Sequence, residues 1–485
     1  MTRTKTRLLT AGIAIIVLLA AAFFAVPFLS RNAGAEVWTG NIADNFGGGT
    51  GAADAPYIIA NGEQLAFLAQ QVNDYGKTYA GEYFKLTGDI NLDSKEWTPI
   101  SCGGYDRNDN LIKNTNFAGT FDGAGFTISN LAITENGASK HTGLFGRSSG
   151  TIKNLYLDNA NIESYNGIGA ICAYNSGTIE ACGVLSGTLK ISANNGGNVG
   201  GICENNSGKI SKCYNMANIV GGGENGGICA SNVKDGGTIE DCYNGGSVAA
   251  ERGIANAGVC ANNSGVISRC FNFGKLGGEG AGGTYYGVCG TGVGTMTDCF
   301  NDSSVSNVLV KGYSGTANNV ENKTTLELCS DVFDGLGTEC DDSGKRVWYY
   351  GGLKASSTDP DFSDSRNSDR FLITEYKYPS LNGISKEVPT AEVKVYCFRN
   401  GNDGRNYTAD IYTVIETAEE FLAIGNDTTD DKAMWKGNYV LGADIDLEGR
   451  DITTIGNSKT AFTGKFSGGG YSIKNAKIVK ESSDD

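Results

Sequence analysis

The chain has 485 residues, with 54 acidic side chains against 39 basic ones and one histidine, for a formal net charge of −15. A surface of that sign repels nucleic acid and anionic lipid, so no nucleic-acid partner is expected. Glycine, at 71 residues, is about twice its usual share without a collagen period, and proline numbers 6, which points to short strands joined by tight turns.

Residues 1–35 read as an export signal. Arg3, Lys5 and Arg7 precede an uncharged apolar run from Leu8 to Leu29, and Ala33-Gly34-Ala35 fits a small-x-small cleavage site. Pro27 favours a break before that site. The run is also long enough to cross a bilayer as an uncleaved anchor. The expected location is secreted or on the extracellular face of the cell envelope, with membrane contact only through this segment if it is retained.

Residues 61–74 (NGEQLAFLAQQVND) place Leu65, Leu68, Ala69 and Val72 on one helix face. Asn61 with Gln64 resembles a capping box, and the predicted helix covers the first coil of a repeat array. The loop 102–116 (CGGYDRNDNLIKNTN) gathers Asp106, Arg107, Asp109 and Lys113 and is the best place for a reactive groove. Asp89 and Asp93, with later echoes Asp444 and Asp446, recur at two array openings and read as corner residues that accept backbone N–H bonds. His141 reads as a surface turn residue. No H-E-x-x-H and no G-x-S-x-G accompanies it, so neither zinc-protease nor serine-hydrolase chemistry is expected.

From 142 to 316 the chain repeats. "GGICENNSGKISKCYN" (200–215) returns at 169–184, 257–272 and 286–301, and with three extra residues at 226–244. The copy at 142–157 keeps the frame but has Phe145 and Leu155 in the cysteine places. Two cysteine columns result: Cys172, Cys203, Cys229, Cys260 and Cys289, then Cys182, Cys213, Cys242, Cys270 and Cys299. Each unit holds three short strands separated by Gly, Asn and Ser. Such a unit cannot bury its apolar face alone. Stacking copies ~4.8 Å apart pairs every strand with its equivalents, which is a parallel β-helix.

Equivalent cysteines then stack vertically. Buried reduced thiols are the favoured reading, because Phe145 and Leu155 hold the same places and free cysteine behaves as a small apolar residue. Vertical disulfides are the second reading, and metal binding the third, since the pairs are not x₂-spaced. Cys329 with Cys340 is a separate disulfide candidate. Asn175, Asn206 and Asn263 each precede Ser-Gly and read as an amide ladder. Tyr214, Tyr243, Phe271 and Phe300 come directly after the second column. If the cysteines point inward, these point outward. They form either an exposed stripe for a glycan or partner, or a layer packed beneath a neighbouring loop.

The closing coil runs to about 385, and 386–409 reads as a linker. From 410 the opening scheme recurs: Thr417 with Glu420 forms a capping box, and 437–447 and 462–478 echo 81–92 and 117–133. About two coils fit before Asp485, and a bare edge there is unfavourable, so the unit is expected to continue or to pair with something else.

These units resemble the GLUG motif of bacterial secreted and surface proteins, notably "TGLFGRSSGTIKNLYL" and the repeat above. The resemblance covers roughly 36–316 and 410–485. It implies a right-handed, pectate-lyase-like β-helix, and says little about activity, because the motif occurs in adhesin-like proteins and in non-catalytic parts of exported enzymes, including immunoglobulin-cleaving metalloproteases. The cysteine columns depart from it. The combined expectation is an all-β chain: a signal at 1–35, a right-handed parallel β-helix with a short capping helix at 36–385, a linker at 386–409, and the start of a similar unit at 410–485. Its expected role is a non-catalytic, adhesin-like scaffold that binds a glycan or a host or cell-surface protein, with no cofactor and no metal. The alternative is a carbohydrate-active β-helix enzyme working at 102–116.

Overall fold

The computed structural model describes residues 36–323, except 106–110, 113–114, 135–140, 193–195, 234, 251–254, 278–282, 304, 307 and 313–314, together with parts of 328–478. The signal segment and the four loop residues Asp106, Arg107, Asp109 and Lys113 therefore lie outside the described residues. Two compact units emerge. One comprises residues up to 325 with 334–348 and 381–387. The other comprises 326–333, 349–380 and 388–485.

The first unit is a parallel β-solenoid of about ten turns. A continuous ladder runs from Tyr57–Ile59 through Lys209–Ser211 to Thr316–Lys323, every pairing parallel. A typical coil has three faces. The first is made of Val199–Gly200 and Cys203–Asn206, the second of Lys209–Ser211 and Tyr214–Asn215, the third of Asn218–Gly221. Period-two alternation explains the second face. Ile179, Ile210, Ile239 and Ile267 are in register and fully buried, while their Thr, Lys and Glu neighbours lie partly or fully in solvent.

The second face bends at a fixed place. Asn154, Ala181, Lys212, Asp241, Arg269 and Asp298 all adopt left-handed backbone, with φ between 51° and 53°. That conformation is unfavourable for non-glycine residues, and here it recurs because each bend stacks on the next. Immediately after it come Leu155 and the second cysteine column, all fully buried in one continuous core with the first column.

The predicted N-terminal helix is α1, Gly62–Asn73. Asn61 caps it by accepting from the Gln64 backbone N–H at 3.1 Å. The return bond lands one residue earlier than in a capping box: Gln64 Oε1 accepts from Ala60 N at 2.8 Å. Leu65, Leu68 and Val72 are fully buried and join the solenoid core, as the apolar stripe requires.

In the second unit, strands at 354–355, 370–375, 395–399 and 407–410 form an antiparallel sheet. Residues 386–409 thus contain strand structure and are not a plain linker. Next comes a short parallel stack, with Thr413–Ile415, Tyr439–Leu441 and Phe466–Ser467 in one ladder and Ile445–Asp446 beside Ile473–Lys474 in another. Helix α2, Ala418–Gly425, opens on the expected capping box between Thr417 and Glu420. Among the described residues, no helix is long and apolar enough to cross a membrane.

Candidate functional site

The cysteine columns are structural. Cys172, Cys203, Cys229, Cys260 and Cys289 pair in register coil upon coil, with Phe145 beneath Cys172. All ten column cysteines are free and buried. Their S–H groups donate to carbonyls two residues away, as in Cys203 to Asn205 O and Cys242 to Glu240 O. Burial pushes the Cys172, Cys182, Cys229, Cys242, Cys289 and Cys299 thiols well up, which makes them inert as nucleophiles. Cys340 is free and exposed, and Cys329 lies outside the described residues.

The corners are closed by amides. Asn175, Asn206 and Asn263 form the expected ladder, with Asn232, which the sequence reading did not include, between the last two, and each Nδ2 donates to the next Oδ1 at 2.8 Å. A second ladder, Asn215, Asn244, Asn272, Asn301 and Asn322, runs along the other bend at 2.8–2.9 Å. Sequence reasoning missed it, although the recurring Cys-aromatic-Asn triplet carries the signal. The aspartates behave as corner residues: Asp89 Oδ1 accepts from Thr127 N at 2.7 Å, and Asp444 Oδ1 from Ser472 N at 2.8 Å. Asp446 matches Asn91 rather than Asp93, since both accept from the backbone two residues on and from an asparagine one coil up.

The aromatic stripe is not exposed. Tyr214, Tyr243, Phe271 and Phe300 stand in register outside the core, yet each is at most 1% exposed. Tyr214 lies on Tyr243 with ring centroids 5.0 Å apart and planes 9° apart. Trp348 roofs the column, 5.6 Å from Phe271 and 6.4 Å from Tyr243. Its Nε1 donates to Asp241 Oδ1 at 2.9 Å, and Arg269 grips the same carboxylate through Nε and Nη2 at 2.7 and 2.8 Å. Asp241 and Arg269 meet because both occupy the left-handed bend in successive coils. The platform exists, but the chain occupies it. His141 is half-buried in a strand paired with Gly167 rather than in a surface turn.

The first face carries a mixed polar column. Arg147, Tyr174, Asn205, Ser231 and Asn262 form one half-buried column. The Arg147 guanidinium sits 5.1 Å from the Tyr174 ring centre, and the His141 ring lies 5.8 Å away. Glu204 folds across Gly167, the register partner of His141. A Cβ at Gly167 would fall 1.8 Å from the Glu204 carboxyl carbon, so a larger residue there would displace the carboxyl. Burial raises the Glu204 carboxyl to about 7. Burial also raises Glu224, whose Oε2 accepts from Asn262 at 3.5 Å. This face offers titrating carboxyls, amides and an Arg–Tyr pair. Among the described residues, no group of three or more Cys, His, Asp and Glu could hold a metal ion.

No family profile matches the chain. Over 151 residues, 30% of its length, the chain is 34% identical to halomucin of Haloquadratum walsbyi (strain DSM 16790 / HBSQ001). The match covers 2% of halomucin, so the chain spans a small fraction of that relative. A solved IgA1 protease aligns with 53% of the chain and 20% of its own, at 17% identity and a TM-score of 0.34, too distant a likeness to bear on function.

Proposed function

We propose that this chain is an exported, non-catalytic β-solenoid that acts as an adhesin-like scaffold at the cell surface or in secretion, holding a glycan or surface protein against its first face. One observation carries the reading. The repeat spends its cysteines, its asparagine ladders and its aromatic column inside the stack, while the first face keeps Glu204, Tyr174 and Arg147 partly exposed side by side. The likeness to halomucin, a mucin by name, is in keeping with a life outside the cell. The test presents the full chain to a glycan array and to acidic and neutral polysaccharides, with both binding and new reducing ends measured. Binding without cleavage, weakened by Glu204→Ala, is the expected result. Cleavage that Asp106→Ala abolishes would replace this reading with an enzyme at 102–116, and absence of binding would end it.

A further inference from the structure

A cleft of about 310 Å³ opens at the capped end of the solenoid, between α1 and the segments on either side of it. It belongs to neither the first face nor the aromatic column. Its walls are Trp38, Trp97, Ala66 and Ala69, with Ile42 at the edge. Its polar lining is Gln70, Asp74, Glu96 and Thr98.

The cleft is held open by bonds among its walls. Trp38 and Trp97 meet edge to face at 5.7 Å. Both indole N–H groups are committed elsewhere, Trp38 to Asn41 O at 2.8 Å and Trp97 to Leu144 O at 3.3 Å. Asn73, at the last turn of α1, pins the opposite wall. Its Oδ1 accepts from Ser101 N at 2.9 Å and Cys102 N at 3.2 Å, and its Nδ2 donates to Pro99 O at 2.9 Å. Glu63 ties down the entering strand by accepting from Thr39 N at 3.0 Å and Thr39 Oγ1 at 2.6 Å. Glu96 Oε1 accepts from Thr134 N at 2.8 Å.

The lining selects its ligand. Pockets of ~300–1,000 Å³ suit small molecules, and this one lies at the lower limit, the scale of one or two sugar rings. Asp74 and Glu96 only accept hydrogen bonds, whereas Gln70 and Thr98 also donate. Hydroxyl groups, which do both, match that mixture. Among the described residues, no Lys, Arg or His lines the cleft, and Lys95, beside Gly40, is paired with Asp93, so a carboxylate or sulfate would face Asp74 and Glu96. Trp38 and Trp97 are 6% and 2% exposed, so the indoles close the floor and the polar rim of Gln70, Asp74, Glu96 and Thr98 makes the contacts.

We propose that this cleft is a binding site for a neutral pyranose, free or at the end of a glycan. The proposal extends the glycan-binding reading to a second place on the chain, and it stands or falls on different residues. The probes are methyl hexosides and N-acetylglucosamine, with glucuronate and choline as charged comparators. Saturation-transfer NMR and calorimetry on the full chain, up to ~10 mM ligand, read the affinity. The expected result is binding of one neutral sugar that weakens at least about tenfold in Asp74→Ala and in Gln70→Ala, each removing one polar contact, and that Glu204→Ala leaves unchanged. Both altered positions lie at the helix surface, and unchanged Trp emission confirms folding. The proposal is overturned if no neutral sugar binds, if glucuronate or choline binds instead, or if binding survives both cleft substitutions. Loss of sugar binding only in Glu204→Ala would place the glycan on the first face and overturn the cleft while sparing the broader reading.

Discussion

Replacing Asn244 with alanine should destabilise the solenoid by about 3 kcal/mol. Asn244 is fully buried in the middle of the second amide ladder. Its Nδ2 donates to Gly246 O at 2.8 Å and to Asn272 Oδ1 at 2.8 Å, and its Oδ1 accepts from Asn215 Nδ2 at 2.9 Å. Each buried hydrogen bond contributes ~1 kcal/mol net, and an orphaned group costs ~1–3 kcal/mol more. Asn215 keeps its bond to Ala217 O, and Asn272 Oδ1 keeps the Gly274 N–H, so neither neighbour is orphaned outright. The three lost bonds, to Gly246 O, Asn272 and Asn215, together come to about 3 kcal/mol. Urea unfolding monitored by far-UV circular dichroism measures the change. The control is Asn218→Ala, which removes an exposed bond to Ser247 at the surface and should cost under ~1 kcal/mol. Equal effects at the two positions, or a change at Asn244 within ~0.5 kcal/mol of zero, would refute the ladder as a source of stability.

Gly183→Ala should lower stability by ~1–3 kcal/mol in a thermal scan, because the new Cβ would sit 2.5 Å from the Tyr214 ring. Tyr243→Phe should leave stability equal or raise it by ~1 kcal/mol, since the Tyr243 hydroxyl is buried without a partner among the described residues and Phe271 already fills the next place. Glu204 should make stability fall with rising pH. Burial raises its folded pKa from the usual 4.5 to about 7, so the native state holds the proton more tightly, and stability is lost as pH rises through that window and levels off above it. Glu224 lies on the same face and burial raises it too, so it adds a slope of the same sign, and Glu204→Gln, not the bare profile, is the comparison to measure.

The period, the stacking and the capping helix were legible because they arise from local rules. A 29-residue echo, alternating isoleucines and an i, i+3, i+4, i+7 stripe each need only nearby residues. The inward place of the cysteines was legible too, since Phe145 and Leu155 substitute for them. The fate of the aromatic stripe was not. Alternation correctly sends Tyr214 and Tyr243 out of the core, but their roof is Trp348, bonded to Asp241 across 107 residues of sequence. Nothing in the repeat announces a partner that arrives from irregular sequence. Glu204 was hidden for a related reason: one coil carries Glu where Ala173, Ala230 and Ala261, or Gly146 and Gly290, stand in the others, and its carboxyl lies over Gly167 in the coil below. The cleft draws its walls from 38–42, 66–74 and 96–102, which no spacing rule groups together.

The central claim is that residues one repeat apart in sequence lie one strand spacing apart in space. Lys153 and Thr297 occupy equivalent places on the second face, five coils apart. Spin labels at these two positions, measured by double electron–electron resonance, should give a narrow distribution centred near ~24 Å, five steps of ~4.8 Å. A broad distribution, or one centred beyond ~40 Å, would mean that the repeats are separate modules rather than coils of one solenoid.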